Sequence, residues 1–171
     1  KMAKACDSAN IKMAIAHQWR AMPAIQKAII DVKSNKYGQL LRMWARPKDD
    51  SRGGGEELLL HGTHLFDLMI AFAGLPRWVT GHILQDRRSA TMSDTRQGTQ
   101  PVGPIMGDSI SATFGFDDGI RGYFESTANL VIPNQSKFSN LFGLSLECEL
   151  ARIELREPGN YFVYPAPRCL P

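Results

Sequence analysis

The chain has 171 residues, of which 43% are hydrophobic and 22% are charged, an ordinary composition for one soluble globular domain. Its net charge is +3 and its basic residues are scattered, so no nucleic-acid partner is expected. No apolar run is long enough to span a bilayer, so no membrane partner is expected either. The three cysteines lack C-x-x-C spacing, which favours a reducing, cytoplasmic location.

The first twenty residues predict the end of an α/β sheet. Residues 2–8 are Ala-rich and helix-compatible, and residues 11–16 (IKMAIA) form an apolar run suited to a buried strand. Ligands of α/β proteins bind beyond the carboxyl ends of strands, which makes His17 and Arg20 candidate site residues. The alternative is structural: Trp19 packs in the core, and Arg20 pairs with a neighbouring carboxylate.

Two helices and six or seven strands are predicted after residue 21. Pro23 suits a first helical turn, and the second helix, residues 55–73, has an apolar stripe formed by Leu65, Leu68, Met69 and Phe72. The predicted strands cover residues 39–46, 77–85, 109–116, 120–128, 141–146, 152–156 and 161–164. Most strands follow one another directly, so we predict an α+β fold: a large, mostly antiparallel open sheet with helices packed on one face.

Two connections have distinct patterns. An Asp-Gly turn at residues 117–119 separates two alternating runs, which is the clearest hairpin signal in the chain. Residues 86–107 are polar and rich in Gly, Pro, Ser and Thr. Connections of that length are typical of lids, binding loops or disordered insertions. Residues 132–140 are predicted to be another polar connection.

The stretch 53–67 (GGGEELLLHGTHLFD) concentrates the chemically capable side chains. On a regular helix Glu57, His61 and His64 fall within an arc of roughly 60°, and Asp67 lies about 60° further round. One interpretation is acid–base chemistry by His64, helped by Glu57 or His61. Another is a metal site formed by Glu57, His61 and His64. The third is structural, with hydrogen-bonded histidines and Asp67 bound to the backbone or to an arginine.

The three glycines at residues 53–55 do not form a phosphate-binding loop. They lack G-x-G-x-x-G spacing and the Lys-Ser/Thr pair of a P-loop. Glu56 and Glu57 follow them directly, and two carboxylates would repel a phosphate at that helix start. We therefore expect the glycines to permit a tight loop beside a ligand.

Several segments resemble the Gfo/Idh/MocA-type oxidoreductases, named for glucose–fructose oxidoreductase and inositol dehydrogenase. They are AHQWRAMP at 16–23, YGQLL at 37–41, GGGEELLLHGTHLFDLMIAFAGLP at 53–76 and GDSISATFGFDDGIRGYFES at 107–126. The resemblance covers nearly the whole chain in the expected order.

The resemblance implies a two-domain enzyme that transfers hydride between NAD or NADP and a sugar, inositol or related polyol. Residues 1–20 would be the last helix and strand of an N-terminal Rossmann domain. Residues 21–171 would be the C-terminal α+β domain, which binds substrate and forms homo-oligomers through its sheet. His64 matches the catalytic histidine, and His17, Arg20, Glu57, His61 and Asp67 would bind substrate.

The sequence also departs from the family pattern. The family's Glu-Lys-Pro motif and dinucleotide fingerprint are absent, so the chain alone is expected to be inactive. Gly62, His64 and Asp67 match the pattern around the catalytic histidine, but Leu60 replaces its first aspartate. His61 or Glu57 would have to substitute for that carboxylate. Two alternatives remain: a non-catalytic binding or oligomerisation module, and a metal-dependent hydrolase or isomerase.

Overall fold

A sheet of eight strands forms the centre of the fold in the computed structural model, which describes residues 1–130, 142–156 and 159–165. The helices are α1 Met2–Ser8, α2 Pro23–Lys33, α3 Gly55–Glu57 and α4 Thr63–Ala73. The strands are β1 Leu40–Arg46, β2 Trp78–Gln85, β3 Arg88–Ser89, β4 Arg96–Gln97, β5 Pro104–Ile105, β6 Ser109–Gly115, β7 Arg121–Thr127, β8 Gly143–Cys148, β9 Ala151–Arg156 and β10 Asn160–Pro165.

The α+β prediction is confirmed. The strand order is β10-β9-β8-β1-β7-β6-β2-β3, and β4 and β5 form a separate ribbon. Strands β1 and β7 pair in parallel, whereas the other strand pairs of the described sheet are antiparallel. The predicted hairpin is β6 and β7, joined by a 3₁₀ turn at Asp117–Gly119. The predicted connection at residues 132–140 lies outside the described residues.

The core lies between one sheet face and helices α2 and α4. All four residues of the predicted stripe on the second helix are buried, and Leu65 and Leu68 are fully so. They pack with fully buried strand residues such as Met43 and Phe124. Along β1, Met43 and Ala45 face this core, whereas Arg42, Trp44 and Arg46 lie on the opposite, open face.

One strand prediction was wrong, and another was wrong about burial. Residues 11–16 form no strand, and Ile11, Met13 and Ile15 are exposed. An isolated apolar run cannot satisfy its own backbone hydrogen bonds as a strand, and no described strand pairs with this one. Strand β2 does form, but it is exposed along most of its length rather than half-buried. Helix α4 packs against β1 and β8, toward the other end of the sheet.

The helix predicted at 55–73 is interrupted by a π turn. Helices α3 and α4 are joined by Leu58–Gly62, where the hydrogen bonds span five residues, and the backbone stays helical throughout. We call the continuous segment from Gly55 to Ala73 the site helix. Gly74, with φ of 77°, ends it. The π turn changes the angular positions calculated for a regular helix, and such turns are frequent at functional sites.

The three glycines serve the chain's own packing. A Cβ on Gly53 would lie 2.3 Å from the backbone nitrogen of Ala128, and a Cβ on Gly55 would lie 2.3 Å from the carbonyl oxygen of Met106. Gly54 has φ of 80° and donates to Ser126 Oγ at 2.8 Å. The tight loop expected of these glycines is therefore confirmed, and neighbouring backbone occupies the space that a Cβ would need.

Candidate functional site

His64 occupies the middle of a histidine cluster on the site helix. Its side chain is half-buried, and its Nδ1 is buried with no hydrogen-bond partner among the described residues. The ring of His17 meets it edge-on, with 5.1 Å between ring centroids. His61 lies three residues earlier on the site helix, near enough to lower the pKa of His64. Three imidazoles therefore lie close together at the border of the core.

An aspartate and an arginine support one flank of this cluster. Arg20 Nε donates to Asp67 Oδ2 at 2.8 Å, and Arg20 Nη2 donates to the backbone oxygen of Asp67 at 2.6 Å. His17 Nδ1 lies 3.6 Å from Asp67 Oδ1. Trp19 is buried against Phe142. The structural interpretation of Trp19 and Arg20 is thus confirmed, while His17 reaches His64 from a 3₁₀ turn rather than from a strand end.

A fully buried carboxylate supports the other flank. Glu57 Oε2 lies 2.7 Å from His61 Nδ1. Its other oxygen, Oε1, has no hydrogen-bond partner among the described residues, and Arg52 Nη2 lies 3.5 Å away from it. The ring of His61 meets Phe142 edge-on, with 5.2 Å between centroids. His61 therefore links a buried carboxylate to the partly exposed surface.

The surroundings of His64 favour its neutral form. Burial lowers the pKa of His64, and the nearby His17 and His61 lower it further, whereas Asp67 opposes them. Nδ1 would be a buried, unsatisfied donor if it carried the proton, which is costlier than leaving a lone pair there. The neutral ring is thus expected to carry its proton on Nε2, as a hydrogen-bond donor.

The predicted cluster forms, but in different pairs. The sequence grouped Glu57 with His61 and His64, whereas the structure pairs Glu57 with His61 and His64 with His17. Among the described residues, no three His, Cys, Asp or Glu side chains converge to hold a metal ion. Leu60 contributes no polar group, although its backbone oxygen accepts from Thr63 Oγ1 at 3.1 Å.

Sequence reasoning missed the part played by Glu56. This carboxylate is fully buried, and its Oε1 accepts hydrogen bonds from Thr99 Oγ1 at 2.6 Å and from the backbone nitrogen of Gln100 at 2.8 Å. Arg96 Nη1 lies 3.9 Å from its Oε2. Glu56 thereby attaches the long connection at residues 86–107 to the first turn of the site helix. The sequence predicted an acidic residue at the helix start, but it did not predict that Thr99 and Gln100 would donate hydrogen bonds to it.

Replacing Glu56 with glutamine is expected to lower the free energy of unfolding at pH 7 by about 1–3 kcal/mol, the scale for losing hydrogen bonds to a buried charge. Burial raises the pKa of Glu56, but the Thr99 and Gln100 hydrogen bonds outweigh it and hold the pKa below its ordinary value of 4.5. The charge therefore stabilises the fold fully above pH 4.5, and this contribution is lost as the pH falls through the lowered pKa.

Urea unfolding of wild type and Glu56→Gln at pH 7 and below pH 4.5 measures this effect. The difference between the two proteins should shrink on acidification. Glu125→Gln is the control, since the Glu125 side chain is 55% exposed and should change stability by no more than about 0.5 kcal/mol. A difference that persists unchanged in acid would contradict the assigned role of the Glu56 charge.

This chain shares its fold with known proteins, although sequence comparison finds no match. No family model matches the sequence, and no curated protein matches it. Solved structures do match. An NAD-binding oxidoreductase from Klebsiella pneumoniae superposes with a TM-score of 0.64 at 19% identity, over 96% of this chain and 46% of that one. The chain has the fold of about half of such an oxidoreductase.

Two further structures extend the comparison. The WlbA dehydrogenase from Bordetella pertussis, solved with NADH and UDP-GlcNAcA, matches with a TM-score of 0.62 at 16% identity, over 90% of this chain and 46% of that one. An Agrobacterium radiobacter oxidoreductase, solved with NAD⁺, L-tartaric acid and magnesium, matches with a TM-score of 0.61 at 15% identity. The match covers 99% of this chain and 50% of that one. The resemblance to Gfo/Idh/MocA-type enzymes is confirmed at the level of the fold.

No helix among the described residues is long and apolar enough to cross a membrane.

Proposed function

We propose that this chain is the C-terminal part of an NAD(P)-dependent oxidoreductase that acts on a sugar, inositol or related polyol. The observation that carries the proposal is the position of His64 between two other imidazoles, each beside a carboxylate, on a helix of a fold shared with NAD-binding oxidoreductases. An imidazole in such surroundings can exchange a proton with a substrate hydroxyl near neutral pH.

The site residues divide by exposure. His64 contacts the reacting hydroxyl in this proposal, and the partly exposed His17 and His61 lie beside it. Arg20 and Asp67 bind each other, and this fixes the position of the Asp67 carboxylate beside His17. Glu57 is fully buried, so it acts on substrate only through His61. Polyol hydroxyls pair well with this mixture of donors and acceptors.

The cofactor would bind outside these 171 residues. No G-x-G-x-x-G segment occurs in the chain. Neighbouring backbone occupies the space beside its three consecutive glycines. We therefore assign none of its residues to the dinucleotide and derive no step through it. In this proposal residues 1–20 belong to a preceding Rossmann domain and residues 21–171 form the substrate domain. The match over only 46% of the Klebsiella chain supports this division.

Homo-oligomerisation through the open sheet face is part of the proposal. Trp44 stacks on Tyr123 there, with 5.4 Å between centroids. Arg42 pairs with Glu147 on the same face, with Nη2 2.6 Å from Oε2. A broad sheet face that mixes aromatic and paired charged side chains, and that no described helix covers, suits contact with a second copy.

A non-catalytic module of the same fold is the second candidate, and Leu60 favours it. The aliphatic side chain of Leu60 cannot orient a hydroxyl or share a proton, although His64 and Asp67 keep the family pattern. The same fold could then bind sugar-like ligands or assemble subunits without turnover.

The test uses the longer protein, with the coding sequence upstream of Lys1 included. Fluorescence titration with NADH and NADPH should show saturable binding. Glucose, inositol and UDP-N-acetylglucosamine should then be tested as substrates by following absorbance of the reduced dinucleotide. Absence of dinucleotide binding by the folded protein would favour the non-catalytic module.

A further inference from the structure

The pair formed by Glu57 and His61 has the geometry of a carboxylate-oriented base. A carboxylate oxygen accepts hydrogen bonds, so the 2.7 Å contact between Glu57 Oε2 and His61 Nδ1 requires Nδ1 to donate. The neutral ring then has its lone pair on Nε2. Glu57 is fully buried, whereas 27% of the His61 side chain is exposed. The buried member orients the ring, and the exposed member can reach a ligand.

Burying Glu57 is costly, which indicates that its position serves more than packing. Oε1 has no hydrogen-bond partner among the described residues, and Arg52, whose Nη2 lies 3.5 Å from it, is also bound to Asp50. Taking a carboxylate out of water with incomplete pairing costs several kcal/mol. Costs of this kind are found where an active site is preorganised. The π turn at Leu58–Gly62, which carries His61, is a second local irregularity at the same place.

The two neighbouring histidines are therefore prepared for opposite roles. His64, with a buried Nδ1 and its proton on Nε2, can only donate a hydrogen bond in its neutral form. His61, with its proton on Nδ1, can only accept one at Nε2. His17 is less well oriented, since its Nδ1 lies 3.6 Å from an Asp67 carboxylate that Arg20 already holds.

We infer that His61 is the general base of this site, that Glu57 is its positioning residue, and that His64 is the hydrogen-bond donor to the substrate oxygen. In this step the O–H bond of a substrate hydroxyl breaks, the proton bonds to His61 Nε2, and the electron pair stays on oxygen beside His64 Nε2–H. The inference rests on the proposed function, in which a nicotinamide dinucleotide accepts the hydride. The inference assigns to His61 the acid–base role that the family pattern gives to an aspartate at the position of Leu60.

The tautomers can be read directly from long-range ¹H–¹⁵N NMR correlations of the 171-residue chain at a pH where the imidazoles are neutral. His61 should be the Nδ1–H tautomer and His64 the Nε2–H tautomer. Glu57→Gln should shift His61 toward Nε2–H, because an amide can also donate to Nδ1. Glu56→Gln is the matched control, since this equally buried neighbour contacts Thr99 and Gln100, and it should leave His61 unchanged.

Two NMR results would overturn the inference without reference to turnover. One is a His61 ring protonated on Nε2 in the wild type. The other is a His61 tautomer that does not respond to Glu57→Gln. His64 found as Nδ1–H would remove the division of roles. His82, an exposed histidine on β2, supplies an internal reference in every spectrum.

Kinetics of the longer protein test the catalytic half. His61→Gln should lower kcat by at least about 100-fold, the lower end of general acid–base contributions, with KM for the polyol within about threefold. Glu57→Gln should lower kcat by about tenfold, and Glu56→Gln should stay within about twofold of wild type. Unchanged kcat in His61→Gln would refute the role of His61. Failure of dinucleotide binding would instead refute the proposed function, and the tautomers remain a separate readout.

Discussion

Replacing Gly54 with alanine is expected to lower the free energy of unfolding by about 3 kcal/mol or more. Its φ of 80° and ψ of −130° lie in a region that costs a residue with a Cβ about 1–3 kcal/mol. The added Cβ would also lie 2.5 Å from the carbonyl oxygen of Gly107 and 2.9 Å from Asp108 Cα. Relieving that overlap must stretch the hydrogen bond from Gly55 N to Gly107 O.

Gly74 provides a matched control for this substitution. Its φ of 77° and ψ of −165° are similar, but no atom of the residues that the structure describes lies within 4 Å of the position of its Cβ. Gly74→Ala should therefore show the conformational cost alone, about 1–3 kcal/mol. Urea unfolding of both variants separates backbone strain from close approach. Equal losses in the two variants would mean that the contact with residues 107–108 contributes nothing.

Gly54 and Gly55 matter for the proposed function because they fix where the site helix begins. Gly54 is bound to Ser126 at the end of β7, and Gly55 is bound to Gly107 just before β6. Both strands belong to the central sheet. The first turn of the helix, with Glu56 and Glu57, is thereby placed against a rigid surface. A shift there would move the carboxylate that orients His61.

Local patterns in the sequence were enough to predict the elements that follow simple periodicity. The stripe of Leu65, Leu68, Met69 and Phe72 and the hairpin around Asp117–Gly119 were both predicted, because each pattern depends on residues close together in the chain. The strand at residues 11–16 was wrongly predicted for the opposite reason. A strand needs a partner, and an apolar run of six residues does not specify one.

The histidine site could be predicted in membership but not in pairing. A wheel at 100° per residue brought Glu57, His61 and His64 together, but it assumed a regular helix, and the π turn changes the geometry within that set. Contacts such as Arg20 with Asp67, 47 residues apart, and Glu56 with Thr99, 43 residues apart, depend on how distant segments pack. No local spacing rule predicts them.

The proposed acid–base role does not require a carboxylate at position 60. Leu60 removes the acid that the family pattern places four residues before His64. The adjacent position carries His61, and a carboxylate four residues before it on the same helix orients that imidazole. The chain thus has one imidazole oriented by a carboxylate and one whose Nδ1 has no hydrogen-bond partner in the described part of the structure. A substrate hydroxyl that loses its proton needs an acceptor for that proton and a hydrogen-bond donor for its oxygen. In this proposal His61 Nε2 is the acceptor and His64 Nε2–H is the donor.

In the longer protein, His64→Ala should lower kcat at least tenfold, on a scale that reaches about 10²–10³ for removing a hydrogen-bond donor to a developing negative charge. The half-buried imidazole is the group that donates a hydrogen bond to the substrate oxygen in this proposal. Alanine removes that donor and leaves a gap beside His17. The loss should appear mainly in kcat, because the negative charge on the oxygen develops only in the transition state.

His82→Ala is the matched control for the same assay. His82 lies on the open face of the sheet, in a shallow concavity shared with Trp44 and Tyr123, whereas the site helix packs on the other face. Its loss should leave kcat within about twofold of wild type in protein whose oligomeric state is unchanged, because the open face is also the one proposed to contact a second copy. Unchanged turnover in His64→Ala, from a protein that binds dinucleotide and unfolds at the wild-type urea concentration, would exclude His64 from the chemistry. Equal losses in both variants would instead indicate damage to the shared sheet.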